Sequence, residues 1–527
     1  MTNSIEDMTL KAEVILVTGS NTSECHPVIA NYVREAVMKN GAKLIVVDPK
    51  RIDLVDYAEI WLQPKPGNNV AWINGFMNVI INNNLHDEEF INEHTEGFEE
   101  LKKVVEKYTP EYVEEITGIP AEKLEKAAKI YGEAKAASIL YAMGITQHSN
   151  GTDNVKSLAN LAMITGNIGK EGAGVNPLRG QNNVQGACDM GGLPNVYPGY
   201  QPVDNEENCK KFSSEWGASC NINKGAPLTE IPNLVEEGKL KALYIMGENP
   251  LVSDPDLNHL KKCIEKLDFI VVQDIFMTET AQYADVVLPG ACFAEKDGTF
   301  TNTERRVQRV RKAVNPPGEA KDDLTILSML AEKFGVKYSN NPEDVFEEIR
   351  KVTPQYAGIT YKRIEENDGV CWPCPDEEHP GTPILHVGKI ARGKGLLTPI
   401  ENKPPVEQPD EEYPFILTTG RRYEHFHTAT MTRRARALNY YSPEPRLEIN
   451  PEDAKQLGIN DGDEIIVKSR RGEVKTKAMI SDRVSKGVVF GCFHFSEAAI
   501  NVLTLHALDP VAKIPEYKVC AVRIEKA

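Results

Sequence analysis

Short runs of consecutive apolar residues alternate with stretches of helical spacing in the early part of the chain. Residues 13–19, EVILVTG, are mostly apolar and close on glycine, which predicts a strand buried on both faces. Residues 28–39 come next at helical spacing, and 41–48, GAKLIVVD, read as a second buried strand closed by Pro49. Strand, helix, strand in this order is a βαβ unit of a doubly wound sheet. A third strand is predicted within 59–67, EIWLQPKPG, and a helix from near Asn69. Residues 85–135 read as helical, with Glu and Lys on a solvated face. Residues 137–143 give another buried strand, and 154–166 a helix.

The pattern then starts again. Residues 195–236 read as irregular and polar, after which 240–246 and 268–274 are apolar strands that open a second βα series. Strand followed by Gly-Glu-Asn-Pro or Gln-Asp echoes the first unit, so the chain predicts two related α/β lobes. Residues 316–409 mix helices with Pro- and Gly-rich loops and read as a connection and partial cover. From Tyr413 short strands recur at regular spacing with Gly turns, the pattern of a β-barrel. The fold class is therefore α/β, with two doubly wound lobes followed by a C-terminal β-barrel. The breaks divide the chain into 1–182, 183–293, 294–409 and 410–527.

Composition narrows the chemistry. At 527 residues the chain holds several domains, and 41% apolar and 26% charged residues are ordinary for a globular protein. A net charge of −17 argues against a nucleic-acid backbone as main partner, and no apolar run approaches a membrane span. Residues 1–10 are acidic and polar, unlike a signal peptide. Ten scattered cysteines make no disulfide framework and fit a reducing cytoplasm. Cys371 and Cys374 form the one CxxC; with His379 they supply too few ligands for a cluster site of about four.

In an open parallel sheet, ligands bind beyond the carboxyl ends of the strands. Here those ends are the 19–27 loop and the turn at 46–51. Asp48, an acid at a strand end, reads either as a ribose ligand or as a turn cap. The first loop is not GxGxxG, which disfavours a nicotinamide site. His148 could be a ligand, a base or an ordinary loop histidine. Residues 175–194, VNPLRGQNNVQGACDMGGLP, have neither strand nor helix period and are rich in glycine. They read as a surface loop, or as the lining for a large polar ligand with Arg179 aimed at an anion.

The run RGQNNVQGACDMGGLP resembles the corresponding loop of molybdopterin oxidoreductases of the formate dehydrogenase type. The resemblance covers nearly the whole chain and is nearest to formate dehydrogenase catalytic (alpha) subunits. FAEKDGTFTNTERRVQ at 293–308 matches that family's E-x-x-G-T-x-x-N-x-E-R-R signature through Gly298, Thr299, Asn302, Glu304 and Arg305. The resemblance implies two molybdopterin guanine dinucleotides on one molybdenum or tungsten (bis-MGD), with 1–182 and 410–527 as dinucleotide-binding domains. It also implies the contacts, residue by residue. In the first lobe Asn21, Glu24, His26, Asp48 and Arg51 match the guanine dinucleotide contacts, and Gly144 and Gln147 lie near the cofactor. Gly247, Glu248, Asn249, Gln273, Asp274 and Thr278 are the second-lobe contacts. Thr419, Gly420, Arg421, His425, His427 and Thr428 match at the start of the barrel. Asn501, Leu503, Thr504, Glu516, Tyr517 and Lys518 match late contacts. By the same resemblance Arg179 falls beside the metal as the catalytic residue that holds formate, and Arg179, Gly180 and Gln181 are cofactor contacts.

The resembling subunits begin with a cysteine-ligated 4Fe-4S domain, then supply a selenocysteine or cysteine metal ligand beside a histidine. No such motif lies in this chain, so the resemblance places the cluster and the ligand upstream of Met1. The expectation is the truncated reading frame of a selenoprotein, opened after a UGA codon, with a split enzyme as second choice. Partners are then formate, the missing N-terminal segment or a separate chain supplying it, and an electron-transfer (beta) subunit. Residues 195–308 would expose apolar surface until that polypeptide covers them. The alternatives are another bis-MGD oxidoreductase such as nitrate reductase, or a non-catalytic pterin-binding fragment.

Overall fold

The computed structural model describes residues 1–527, which form two compact units. One comprises Met1–Leu178, Val252–Leu260 and Ile384–Ala527; the other comprises Arg179–Leu251 and Lys261–Pro383. No helix is long and apolar enough to cross a membrane.

The first unit contains a five-stranded parallel sheet in the order Ile60–Leu62, Lys43–Val47, Val14–Thr18, Ala137–Tyr141, Gly174–Pro177. Alternate side chains leave a strand on opposite faces. Val14 and Leu16 accordingly join Trp72, Phe76, Leu124 and Leu158, while Ile15 and Val17 meet Ile29 and Val33 on the other side. Both faces are covered, which is why these strands read as unbroken apolar runs. Helix Asn69–Asn82 is buried nearly end to end, and it too is apolar on most of its circumference.

A closed barrel completes this unit. Its strands run Phe415–Gly420, Val488–Cys492, Arg446–Ile449, Gly472–Ile480, Glu464–Ser469, Cys520–Lys526 around the ring. Leu417, Leu447, Ile449, Val467, Val489 and Val522 fill it. Lys50, just past a strand of the open sheet, bridges to Val484, and its Nζ pairs with Glu448 at 2.6 Å. Residues from Ile384 return to the α/β part of this unit. Gly395–Leu396 pairs with Thr95–Glu96, and Asn74 Nδ2 donates to Ile400 O at 2.8 Å.

The second unit holds a three-stranded parallel sheet in the order Val286–Pro289, Phe269–Asp274, Ala242–Met246. The sequence pattern does not announce the strand Val286–Pro289, because VVLP is too short to stand out from the loop before it. An antiparallel hairpin, Gly298–Thr301 with Arg306–Val310, carries the signature residues, and Val370–Cys371 adds a third strand. Val307, Phe346, Tyr356, Ile364 and Val370 pack beneath it.

Two expectations need correction. The stretch 175–194 is not loop throughout: its start lies in strand Gly174–Pro177, and Val184–Asp189 is a short helix. That helix buries the polar residues Gln185 and Asp189, so no apolar period announces it. The supposedly irregular 195–236 contains helices Glu206–Trp216 and Ile231–Glu236. The first is capped by Asn205, whose side chain accepts from Glu207 N and Asn208 N, and ends on a left-handed Gly217.

Apolar surface is open on the second unit. Helix Asp323–Lys333 buries none of its residues, and Tyr244, Met246, Phe269, Met329 and Phe334 are exposed.

Candidate functional site

The strand order of the first sheet reverses between Val14–Thr18 and Ala137–Tyr141, and the crevice past their carboxyl ends is the expected ligand position. The loops leaving these strands touch through backbone. Gly144 N donates to Gly19 O at 2.9 Å, and a Cβ on Gly144 would stand 2.6 Å from Gly19 Cα. Gly19 also has φ +54°, so neither position admits a side chain without displacing the other loop. The loop continues into Asn21, at the N-cap of the turn Thr22–Cys25, whose buried Oδ1 has no hydrogen-bond donor. Glu24 pairs with Arg483 at 3.3 Å, and His26 caps helix Pro27–Asn40.

Asp48 closes the second strand. Its Oδ1 accepts the Lys50 N–H at 2.9 Å, so the turn-cap reading holds locally. Burial nevertheless pushes its pKa up to about 6. The Arg51 N–H donates to Arg483 O at 2.7 Å and its guanidinium pairs with Asp56.

The 142–150 loop meets the end of the chain. Tyr517 N donates to Gln147 O at 3.2 Å, and His148 Nδ1 lies 3.0 Å from Glu516 Oε1. Glu516 also accepts from Ser149 N, Lys518 N and Val519 N. This fixes Lys518, whose Nζ donates to Thr419 O at 2.7 Å while Thr419 Oγ1 donates to Tyr517 O at 2.8 Å. Burial lowers Lys518 to about 8. Gly420 ends the barrel strand, and Arg421 follows with its guanidinium lowered by burial. Arg421 lies near the rings of Phe426 and Phe493, at 5.7 and 5.8 Å, and has no acidic partner.

Beyond Arg421 the barrel loop is held by histidines. His425 Nε2 faces Ser442 O at 2.7 Å and its Nδ1 faces Thr432 Oγ1 at 3.2 Å, while Thr428 bonds Thr430 at 2.9 Å. Burial, then Arg421, lowers His427 to about 4, so this ring is neutral at neutral pH. Asn501 is buried and donates to Val252 O and Ser253 O at 3.1 and 2.9 Å. In the first unit the structure therefore gathers Gly144, Gln147, Thr419, Arg421, Tyr517 and Lys518, with Asp48 and Cys25 in electrostatic reach of Lys518. His425 and Asn501 instead serve their own loops.

The second unit presents Arg179. Its backbone N–H donates to Thr303 Oγ1 at 3.1 Å, and its Nε donates to Gln185 Oε1 at 3.4 Å. Gly180 and Gln181 are part-exposed in the turn before helix Val184–Asp189, where Val184 N donates to Gln181 O at 3.4 Å. Asn249 is buried: Thr280 donates to its Oδ1 twice, and its Nδ2 donates to Glu279 at 2.7 Å. Burial raises Glu248, while Gly247 N donates to Gln273 O at 2.9 Å. Gln273 donates to Asp323 at 2.7 Å; Asp274 and Thr278 accept the nearby N–H groups of Phe276 and Ala281, both at 3.1 Å. These residues line the carboxyl ends of their strands, as in the first lobe.

Sequence reasoning marked the loops that hold Cys25 and Lys50 but missed the residues themselves, and in the second unit it missed Tyr200, Tyr356 and Trp372, which only long-range packing brings to Asp189. Of the signature, Arg305 proves to be an internal brace. It is 2% exposed, has φ +69°, and its guanidinium donates to the carbonyls of Trp372, Thr382 and Pro383. Cys374 directs its thiol at the carbonyls of Asp376 and His379, at 3.5 and 3.3 Å.

Comparison with known proteins gives the class. The Molybdopterin oxidoreductase family model matches residues 1–333, and the Molydopterin dinucleotide binding domain matches 415–521. The chain belongs to the molybdopterin oxidoreductase family. It is 59% identical to the F420-dependent formate dehydrogenase subunit alpha of Methanocaldococcus jannaschii, over all of this chain and 78% of that relative. It is 42% identical to formate dehydrogenase H of Escherichia coli, over all of this chain and 74% of that protein. Acetylene hydratase from Pelobacter acetylenicus shares the fold, with a TM-score of 0.76, 23% identity, and coverage of all of this chain and 81% of the other.

The residues present fit a guanine dinucleotide. Arg421 is a guanidinium without an acid, Lys518 stands beside it, and both suit phosphate. The buried, donorless Asn21 Oδ1 suits an N–H of a base edge.

Proposed function

We propose that this chain is the catalytic portion of a formate dehydrogenase, oxidising formate to CO2 with release of one proton and two electrons. The observation that carries the reading is Arg179, held at its side chain by Gln185 and at its backbone by Thr303, in a chain 59% identical to a formate dehydrogenase alpha subunit. When bound, the molybdenum- or tungsten-bis(molybdopterin guanine dinucleotide) centre supplies a two-electron acceptor.

The chain's own residues do the rest. In the first unit Asn21, Asp48, Gln147, Arg421 and Lys518 would hold one dinucleotide; in the second, Gly247, Glu248, Asn249, Gln273, Asp274 and Thr278 would hold the other. The planar guanidinium of Arg179 binds the formate carboxylate at two points and fixes its orientation. It also carries the charge that draws the anion into an otherwise acidic protein.

Electrons leave through a 4Fe-4S cluster to an electron-transfer (beta) subunit. The exposed apolar strip around Tyr244, Met246, Phe269 and helix Asp323–Lys333 supports such a covering partner. Relatives named F420-dependent support F420 as the final acceptor. Ten free cysteines support a cytoplasmic setting.

The test is an assay of the assembled enzyme with formate and with nitrate, alongside metal and pterin analysis. Formate turnover with both groups bound is expected. Nitrate turnover alone points to a nitrate reductase, and bound pterin without turnover to a binding scaffold.

A further inference from the structure

Asp189 has no part in the function proposed above, yet the second unit is built around it. Its side chain is 1% exposed and accepts four hydrogen bonds. Oδ1 takes Gln185 Nε2 and Tyr200 OH, both at 2.8 Å; Oδ2 takes Tyr356 OH at 2.6 Å and Trp372 Nε1 at 2.7 Å. All four donors are neutral and no cation pairs with the carboxylate. A buried carboxylate is costly unless hydrogen bonds offset the lost hydration; the four short ones here offset part of it, and burial still holds the carboxyl above its ordinary value. The donors come from helix Val184–Asp189, the turn at Tyr200, the stretch after helix Pro342–Val352 and the loop at Trp372.

The consequence falls on Gln185. Its amide nitrogen is committed to Asp189 at 2.8 Å and to Tyr200 OH at 3.0 Å. The amide can then lie only one way round, with Oε1 toward Arg179 Nε at 3.4 Å. Were the amide free to turn over, its NH2 would face the guanidinium, donor against donor. We propose that Asp189 is the positioning residue for Arg179, acting by fixing the orientation of the Gln185 amide. This rests on the assignment of Arg179 to formate binding.

Asp189→Asn is the informative change. Each carboxylate oxygen faces one group that can only donate, Gln185 Nε2 or Trp372 Nε1. At Oδ2 the new nitrogen opposes Trp372 Nε1, which has no other way round; at Oδ1 it opposes Gln185 Nε2, a conflict relieved by turning Gln185 over, so the variant settles there. Gln185→Leu removes the oxygen that accepts from Arg179 Nε and leaves Asp189 three donors.

The experiment compares wild-type holoenzyme with Asp189→Asn, Gln185→Leu and Arg179→Lys. It reads KM and kcat for formate, and the calorimetric Kd of azide, an anion bound without turnover. Both Asp189→Asn and Gln185→Leu should raise the formate KM and azide Kd by about tenfold or more, with kcat within about threefold of wild type. Either variant, folded and with both constants within about twofold of wild type, overturns the proposal. If Asp189→Asn does not fold, Gln185→Leu decides alone. If Arg179→Lys leaves formate kinetics intact, the assignment of Arg179 falls and this inference with it. If only Arg179→Lys is impaired, the positioning role alone falls.

Discussion

His148 Nδ1 lies 3.0 Å from Glu516 Oε1, with both side chains buried, and this pair joins the 142–150 loop to the end of the chain. Burial acts to raise the Glu516 pKa, but His148 and the N–H groups of Ser149 and Lys518 outweigh it, and the carboxyl sits below its ordinary value. A depressed carboxyl contributes stability that is present above its unfolded pKa, about 4.3, and lost as pH falls through the folded value. Urea midpoints measured downward from neutral pH should therefore fall more steeply for wild type than for Glu516→Gln. Parallel curves would deny Glu516 this part in the acid limb.

The second prediction concerns Gly144. An Ala there sets its Cβ 2.6 Å from Gly19 Cα, a contact between two backbones that cannot be relieved by turning a side chain. Overpacking of this kind costs about 1–3 kcal/mol, and it parts the loops at the crevice of the first sheet. Gly144→Ala should fold with a lowered Tm and retain little pterin. A variant with wild-type pterin content would show that the crevice is not where the dinucleotide lies.

These features show where the sequence was legible. Apolar runs such as 13–19 and 41–48 announce strands buried on both faces, and regular short strands announce the barrel, because burial dictates composition directly. Arg179 is marked by its place in a glycine-rich polar run with no period, and Asp48 by its place at the end of a buried strand. His148 is not so marked, since its meaning depends on Glu516, far along the chain. The helix Val184–Asp189 escaped notice for a related reason. Its buried face is polar and satisfied by Tyr200, Tyr356 and Trp372, so it leaves no hydrophobic period.

A third prediction tests the tie between open sheet and barrel. Lys50 Nζ pairs with Glu448 at 2.6 Å and lies 3.4 Å from the centre of the Phe490 ring, and burial lowers its pKa. Glu448→Ala strands a buried ammonium and should cost about 3–5 kcal/mol, read as a fall in the denaturation midpoint. The double variant Lys50→Met/Glu448→Leu should recover much of that loss. A single variant as stable as wild type would mean that water reaches Lys50.

Arg421 gives the fourth. It has no acidic partner, and Lys518 beside it is lowered to about 8 by burial, so the pair is poised for an anion. Arg421→Gln should lower pterin dinucleotide per protein by about tenfold or more, in keeping with loss of a charge-assisted hydrogen bond. The far-ultraviolet circular dichroism should not change. Full pterin content would move the phosphates elsewhere.

The most direct test of the central claim traces isotopically labelled formate through the assembled enzyme, wild type and Arg179→Lys. Wild type should yield labelled CO2 and two electrons per formate to an artificial dye. Lysine keeps the charge but loses the planar two-point contact, so kcat/KM should fall by about a hundredfold, near 3 kcal/mol of transition-state stabilisation. A metal- and pterin-loaded enzyme that produces no labelled CO2, or an Arg179→Lys enzyme of undiminished kcat/KM, would contradict the account.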